Sequence, residues 1–178
     1  MPDGNRAMIF TLTELEHHPI LFDVRYPPGE LSFSEEFTQA GDLEASGSAT
    51  LLHNTLGEIR VQGKIKIAVD GACDRCLEAA RLDLDSDFDF FYRPVIKKGA
   101  HGEVHLEEGE IDISFYEGDG VELEEVLREF VLLAKPMQTL CQEGCKGLCP
   151  RCGANLNRAG CTCAPEPKAS PWSAIKDL

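Results

Sequence analysis

The segment from Glu58 to Asp70, EIRVQGKIKIAVD, decides the fold class. Its apolar residues Ile59, Val61, Ile65, Ile67 and Val69 alternate with Glu58, Arg60, Gln62, Lys64 and Lys66, the period of a strand with one wet face. Downstream, Arg81 to Tyr92 repeats that period, with Leu82, Leu84, Phe88 and Phe90 on one side and Arg81, Asp83, Asp85, Asp87 and Asp89 on the other. Upstream, Leu43, Ala45, Gly47, Ala49 and Leu51 alternate more weakly, and HNTLG at 53–57 supplies a turn into the next strand. Together these predict three neighbouring strands in a meander. Shorter extended pieces are expected at Ile20 to Arg25, Val104 to Leu106 and Ile111 to Phe115.

From Val121 the period becomes helical. Leu123, Val126, Leu127, Phe130, Val131 and Ala134 recur at spacings of three and four, and Asp119 is placed to cap the start. Glu122, Glu124 and Glu125 suit the positive end of the helix dipole, and Lys135 and Pro136 close the helix. A second, short helix is expected in SPWSAIKDL, capped by Ser170 with Pro171 in its first turn, and Lys97 to Glu110 reads as an exposed loop. The expected fold is α+β: a mostly antiparallel sheet covered by one main helix, a meander with barrel-like closure left open. Residues 1–136 form the body, and 137–178 a cysteine-rich, zinc-binding segment packed on it.

The 178 residues suffice for one domain with a real core, so cysteines are not needed merely to fold it. The N-terminal MPDGNRAMIFTLTELEHHP lacks a basic region followed by an apolar run, and the longest purely apolar stretch, Phe130 to Ala134, is far too short to cross a bilayer. A cytoplasmic location is expected, and there clustered cysteines read as metal ligands or redox centres before disulfides. The net charge of −14 opposes broad binding to phosphate backbones. It is unevenly placed, since 135–178 carries a local excess of bases in Lys135, Lys146, Arg151, Arg158, Lys168 and Lys176.

The chain holds eight cysteines, spaced Cys73-x2-Cys76, then Cys141-x3-Cys145-x3-Cys149-x2-Cys152-x8-Cys161-x-Cys163. Zinc takes four thiolates in a tetrahedron, and a turn such as Cys149-Pro-Arg-Cys152-Gly153 aims two sulfurs at one point, the glycine tolerating positive φ. One or two zinc ions are expected. Four pairs combine into two sites in three ways. The most local joins Cys149 and Cys152 to Cys161 and Cys163, leaving Cys73 and Cys76 for Cys141 and Cys145. The spacing leaves the other pairings and a single site open.

Sharper readings fare worse. Cys145-x3-Cys149-x2-Cys152 has the spacing of radical iron–sulfur chemistry, but the chain lacks the length and βα alternation of such a barrel. A Cys73-Asp-Arg-Cys76 redox pair belongs at a helix N-terminus, and here it falls between strands. His17, His18, His101 and His105 show no metal pattern, and DLDSDFD at 83–89 reads as a wet strand edge or solubility device. No phosphate loop, nucleophile elbow or HExxH stands in the sequence, so nothing argues for an enzyme or a small-molecule substrate.

On CDRCLE at 73–78, LLAKPM at 132–137, CQEGCKGLCPRCGANLN at 141–157 and CTC at 161–163, the chain resembles the YceD family of large ribosomal RNA subunit accumulation proteins. It departs where relatives often carry Asp-Pro-Arg and this chain has Ser170-Pro171-Trp172. The resemblance implies a role in 23S ribosomal RNA accumulation or processing during large-subunit assembly. The partners expected are precursor RNA, a large-subunit ribosomal protein or an assembly factor. Lys146, Arg151 and Arg158 are the candidate contacts to RNA or partner. The competing readings are a protein-docking adaptor and a thiol redox switch, neither touching RNA.

Overall fold

The computed structural model describes residues 8–34, 37–95, 113–158 and 160–163. The loop expected at Lys97 to Glu110, the extended piece at Val104 to Leu106, the helix expected from Ser170, and His101 and His105 lie outside them.

The sheet is built around one long hairpin. β4 (Leu43–Leu51), β5 (Ile59–Ala72) and β6 (Ala79–Pro94) form the expected antiparallel meander, in register from Ile59↔Tyr92 to Ala72↔Ala79 and from Glu44↔Lys66 to Leu51↔Ile59. In the 53–57 turn, Asn54 and Gly57 take positive φ of 62° and 95°. Thr55 Oγ1 ties the same turn, donating to Leu52 O and accepting from Glu58 N–H.

Three further strands complete the six-stranded sheet. β2 (Ile20–Tyr26) lies antiparallel on β4, and β3 (Phe37–Gln39) continues β4's edge of β5 at Val69 to Gly71. β7 (Ile113–Tyr116) runs parallel to the end of β6. Among the described residues the sheet does not close into a barrel. Its order is β2-β4-β5-β6-β7, and no pairing joins β2 to β7 among the described residues.

One row across the sheet shows why the alternation weakens at its centre. Phe22, Gly47, Gly63 and Phe88 stand opposite one another on β2, β4, β5 and β6. Neither glycine has room for a Cβ: one at Gly47 would run into Gln62 O and one at Gly63 into Ser46 O. The two rings close over the gap, 6.4 Å apart and stacked. The apolar positions read from the sequence as inward in β5 are all buried: Ile59, Val61, Ile65, Ile67 and Val69.

A small antiparallel pair, β1 (Ile9–Thr11) with β8 (Gly120–Glu122), flanks the short helix α1 (Leu12–Leu15). This pair corrects the expected helix start. Gly120 is pressed against Phe10 O and keeps the chain extended through Glu122, so Asp119 cannot cap; its carbonyl accepts from Leu12 N–H instead. α2 (Leu123–Ala134) therefore begins at Leu123 with Glu122 in the capping position, without a side-chain cap hydrogen bond. Lys135 leaves the helix in an extended conformation, the conformation favoured before Pro136.

Leu123, Val126, Leu127 and Val131 of α2 share one buried cluster with the apolar face of the sheet. Phe130 packs on Phe88 and Phe90 at ring distances of 5.6 and 6.2 Å. Glu129 adds a polar tie, accepting from Tyr92 Oη and Ser114 Oγ, both at 2.7 Å. Burial and that neighbouring carboxylate push the Tyr92 phenol pKa up, so it stays a donor.

Candidate metal centre

The β5–β6 hairpin ends in a tip from Cys73 to Glu78. Cys73 N–H bonds to Glu78 O and Leu77 N–H to Cys73 O, with Leu77 held at φ 61°. The chain leaving α2 docks on this tip. Asp74 N–H donates to Thr139 O, and Asp74 Oδ2 accepts from Thr139 N–H. Leu148 N–H bonds to Arg75 O, and Arg75 donates back to Cys145 O at 3.1 Å. The result places Cys73, Cys76, Cys141 and Cys145 together, with all four sulfurs within 4.8 Å of one another. Cys73 is fully buried, and Cys76 and Cys145 are buried with it.

The second group is local. Leu148 and Asn155 bridge across a turn, Cys149 N–H bonds to Ala154 O and Gly153 N–H to Cys149 O. Gly153 takes the positive φ of 70° that the CPRCG turn calls for. Cys149, Cys152, Cys161 and Cys163 form the group, again within 4.8 Å. Cys152 is exposed, and Cys161 and Cys163 are half-buried.

The donor set fits a tetrahedral thiolate-loving cation. With metal–sulfur bonds of about 2.3 Å, the edges of such a tetrahedron are roughly 3.8 Å. Two sulfur pairs of the first group stand 3.8 Å (Cys73 and Cys145) and 3.6 Å (Cys76 and Cys141) apart. Two pairs of the second stand 3.5 Å (Cys152 and Cys161) and 3.3 Å (Cys149 and Cys161) apart. All are far beyond the roughly 2.05 Å of a disulfide.

Backbone N–H groups are aimed at the sulfurs in a repeated pattern. Cys161 Sγ accepts from Cys163 N–H at 3.3 Å, and the N–H groups two residues on from Cys73, Cys76, Cys145 and Cys149, at Arg75, Glu78, Gly147 and Arg151, act on their sulfurs in the same sense. Such donors stabilise a thiolate over a thiol. Burial pushes the Cys73 thiol up, but the N–H groups of Cys141, Arg75 and Cys76 outweigh it and bring it down to about 6. The N–H groups of Cys152 and Arg151 bring Cys149 down to about 6. Their neighbours go the other way: contact with Cys76, and burial, push Cys141 up to about 12, and contacts with Cys161 and Cys152 push Cys163 up to about 12. Four sulfurs this close resist ionising together, and a divalent cation relieves the repulsion.

A family comparison covers this same part of the chain. Residues 61–178, which include every cysteine, match the family described as large ribosomal RNA subunit accumulation protein YceD. The chain belongs to the YceD family. An Arabidopsis thaliana protein named large ribosomal RNA subunit accumulation protein YCED homolog 1, chloroplastic, is 26% identical over 142 residues, covering 68% of this chain and 44% of the relative. A Zea mays protein of the same name is 26% identical over 132 residues, covering 61% of this chain and 45% of the relative. The chain thus spans less than half the length of these curated relatives. No solved structure matches it.

In this YceD-family chain the candidate contact residues are all exposed and scattered around the sulfur groups. Lys146 follows Cys145, and Arg151 sits inside the CPRC turn. Arg158 reaches back to the hairpin tip, in an ion pair with Glu78 at 2.6 Å.

Sequence reasoning missed the residues that join the groups. Asn157 donates from Nδ2 to Cys145 Sγ at 3.3 Å and accepts on Oδ1 from Lys146 N–H at 2.8 Å. Gly147, at φ 75°, lies so close to Arg75 O that an added Cβ would sit 3.0 Å from it. The second Asn in GANLN, Asn157, and the Gly after Lys146 were the available signals, legible only once the sulfur partition is known. No helix among the described residues is long and apolar enough to cross a membrane.

Proposed function

We propose that this chain is a non-catalytic zinc protein, cytoplasmic, that supports accumulation of 23S ribosomal RNA during large-subunit assembly. Membership of the YceD family supports the ribosomal part. The observation that carries the metal part is the pair of four-sulfur groups with tetrahedral spacing and N–H donors. Four protein ligands leave a zinc ion no open position for substrate, so the metal's work is structural. It staples the segment 137–178 onto the body 1–136, whose sheet α2 covers.

In this reading Lys146, Arg151 and Arg158 meet precursor RNA at short range, while the acidic body faces a basic ribosomal protein or assembly factor. A second reading, a protein-docking adaptor that never touches RNA, draws support from the net charge of −14 and from Arg158 being engaged by Glu78.

Three measurements test the reading. The purified chain should carry two zinc ions and, with cobalt, show intense thiolate charge-transfer bands; a folded chain without those bands overturns the metal part. Depleting the protein should lower the large-subunit peak and raise 23S precursors, and an unaltered ribosome profile overturns the ribosomal part. Crosslinking in cells should recover 23S fragments that are lost in the Lys146→Glu, Arg151→Glu, Arg158→Glu variant, whereas only protein adducts would favour the adaptor.

A further inference from the structure

The two sulfur groups differ in how far their sulfurs are shielded. In the first, Cys73, Cys76 and Cys145 are buried, with Cys141 half-buried. In the second, Cys149 is buried, Cys161 and Cys163 are half-buried, and Cys152 is exposed. Cys161 stands between its neighbours: its sulfur lies 3.5 Å from that of Cys152 and 3.3 Å from that of Cys149. An accessible sulfur with a second one in contact is the arrangement that turns attack on a peroxide into a disulfide, whereas a buried sulfur is shielded from the oxidant.

The groups also differ in what holds their segments together. Around the first, Asp74 N–H donates to Thr139 O, Asp74 Oδ2 accepts from Thr139 N–H, and Leu148 N–H bonds to Arg75 O, so the segments meet through contacts that involve no sulfur. In the second, the knuckle closes on itself through Cys149 N–H to Ala154 O and Gly153 N–H to Cys149 O. Cys161 then joins that knuckle sulfur to sulfur.

We infer that the second group is an oxidative modification site, at which a peroxide converts Cys152 and Cys161 to a disulfide and releases the metal ion while the first group stays loaded. The inference deepens the proposed zinc reading and rests on it, since a sulfur that ligates zinc is a thiolate, the nucleophilic form. The Cys152 thiolate attacks hydrogen peroxide: an S–O bond forms, the O–O bond breaks and hydroxide leaves, so the sulfur is oxidised and the peroxide reduced. The Cys161 thiolate attacks that sulfur in turn: an S–S bond forms, the S–O bond breaks and a second hydroxide leaves. Protons from solvent convert both hydroxides to water. Cys149 and Cys163 are then the remaining ligands of a site that needs four, and they take up protons as the ion departs. A thiol reductant reverses the disulfide by exchange. Arg151 lies between Cys149 and Cys152 in the chain and Arg158 between Cys152 and Cys161, so the modification loosens the loop that presents two of the three proposed contact residues.

The test uses the full zinc-loaded chain, hydrogen peroxide as the probe and a chelating dye that reports released zinc. Free thiols are then alkylated in denaturant and the chain is digested with trypsin, which puts Cys149 in 147–151, Cys152 in 152–158, and Cys161 with Cys163 in 159–168. The expected result is one zinc released per chain, with a cross-link between 152–158 and 159–168 that fragmentation places at Cys161. Cys73, Cys76, Cys141 and Cys145 should still alkylate, and their zinc should leave at least about tenfold more slowly. Reductant with added zinc should restore the full metal content. The inference is overturned if no zinc is released, if both groups lose zinc at the same rate, if release occurs without that cross-link, or if reduction does not restore binding. A chain that holds no zinc before peroxide is added overturns the metal reading as well, so the two failures are told apart at the start. The ribosome profile on depletion bears on neither.

Discussion

The two sulfur groups share a ligand set and differ in almost everything else. The first draws on segments 65 to 72 residues apart and is sealed by the hairpin tip, with Cys73 fully buried. The second closes over separations of 9 and 12 residues and leaves Cys152 in solvent. The same chemistry thus serves a long-range staple in one place and a local knuckle in the other. Closing a long loop is the larger entropic task, so more of the fold depends on the first group.

The sharpest way to break this comparison is Cys73→Ser. With zinc bound as proposed, the variant should lose one metal per chain and at least about 4 kcal/mol of stability, the range associated with losing a structural metal or a buried network. Denaturant unfolding with parallel metal analysis reads both. If Cys73→Ser and Cys152→Ser cost the same, the distinction between staple and knuckle is wrong.

Asn157→Ala tests whether the groups communicate. It removes the donor to Cys145 Sγ and the acceptor for Lys146 N–H, so the effect should fall on the first group although Asn157 belongs to the chain of the second. A loss of about 1–3 kcal/mol is expected from the unpaired groups. Metal affinity at the first group should drop about 10- to 100-fold, as for other outer-shell partners. Chelator competition would show it, and an unchanged first site would mean that the Asn157 contact is incidental.

Much of this arrangement was legible in the sequence, because period-two alternation and Cys-x2-Cys spacing are local signals. The alternation in 58–70 and 81–92 fixes which side chains face inward, and the Gly after CPRC fixes the turn. What stayed hidden depends on contacts between distant segments. β1, β3 and β8 are three residues each, too short for a period to show. The start of α2 is set by β8 pairing with β1, which overrides a good capping residue at Asp119. The parallel placement of β7 beside β6 cannot be read from alternation, which is the same for every neighbour a strand might have. The partition of the sulfurs was undecided for the same reason, since spacing ranks the pairings by loop length and says nothing of the Asp74 and Thr139 hydrogen bonds that bring the segments together.

Cys152→Ser should produce the complementary result to Cys73→Ser. An exposed ligand in a local loop can be lost with less than about 1 kcal/mol of global destabilisation, since few buried contacts depend on it. The metal count should still fall by one. Separate changes in stability and stoichiometry would sharpen the comparison, and a cooperative collapse would show that both groups belong to a single folding unit.

The smallest effect belongs to Arg158→Ala. Its ion pair with Glu78 joins the knuckle to the hairpin tip, but the Arg158 side chain is 76% exposed, so solvent screens most of the attraction. A double-mutant cycle with Glu78→Ala should therefore give a coupling of about 0.2–1 kcal/mol, falling as salt rises. A larger, salt-insensitive coupling would require the two groups to be rigidly docked with the pair shielded from water. The second group would then share the first one's burial, and the contrast between them would disappear. A coupling in the expected range leaves the Arg158 side chain cheap to detach, which is what a residue needs if it is to leave Glu78 and meet a phosphate.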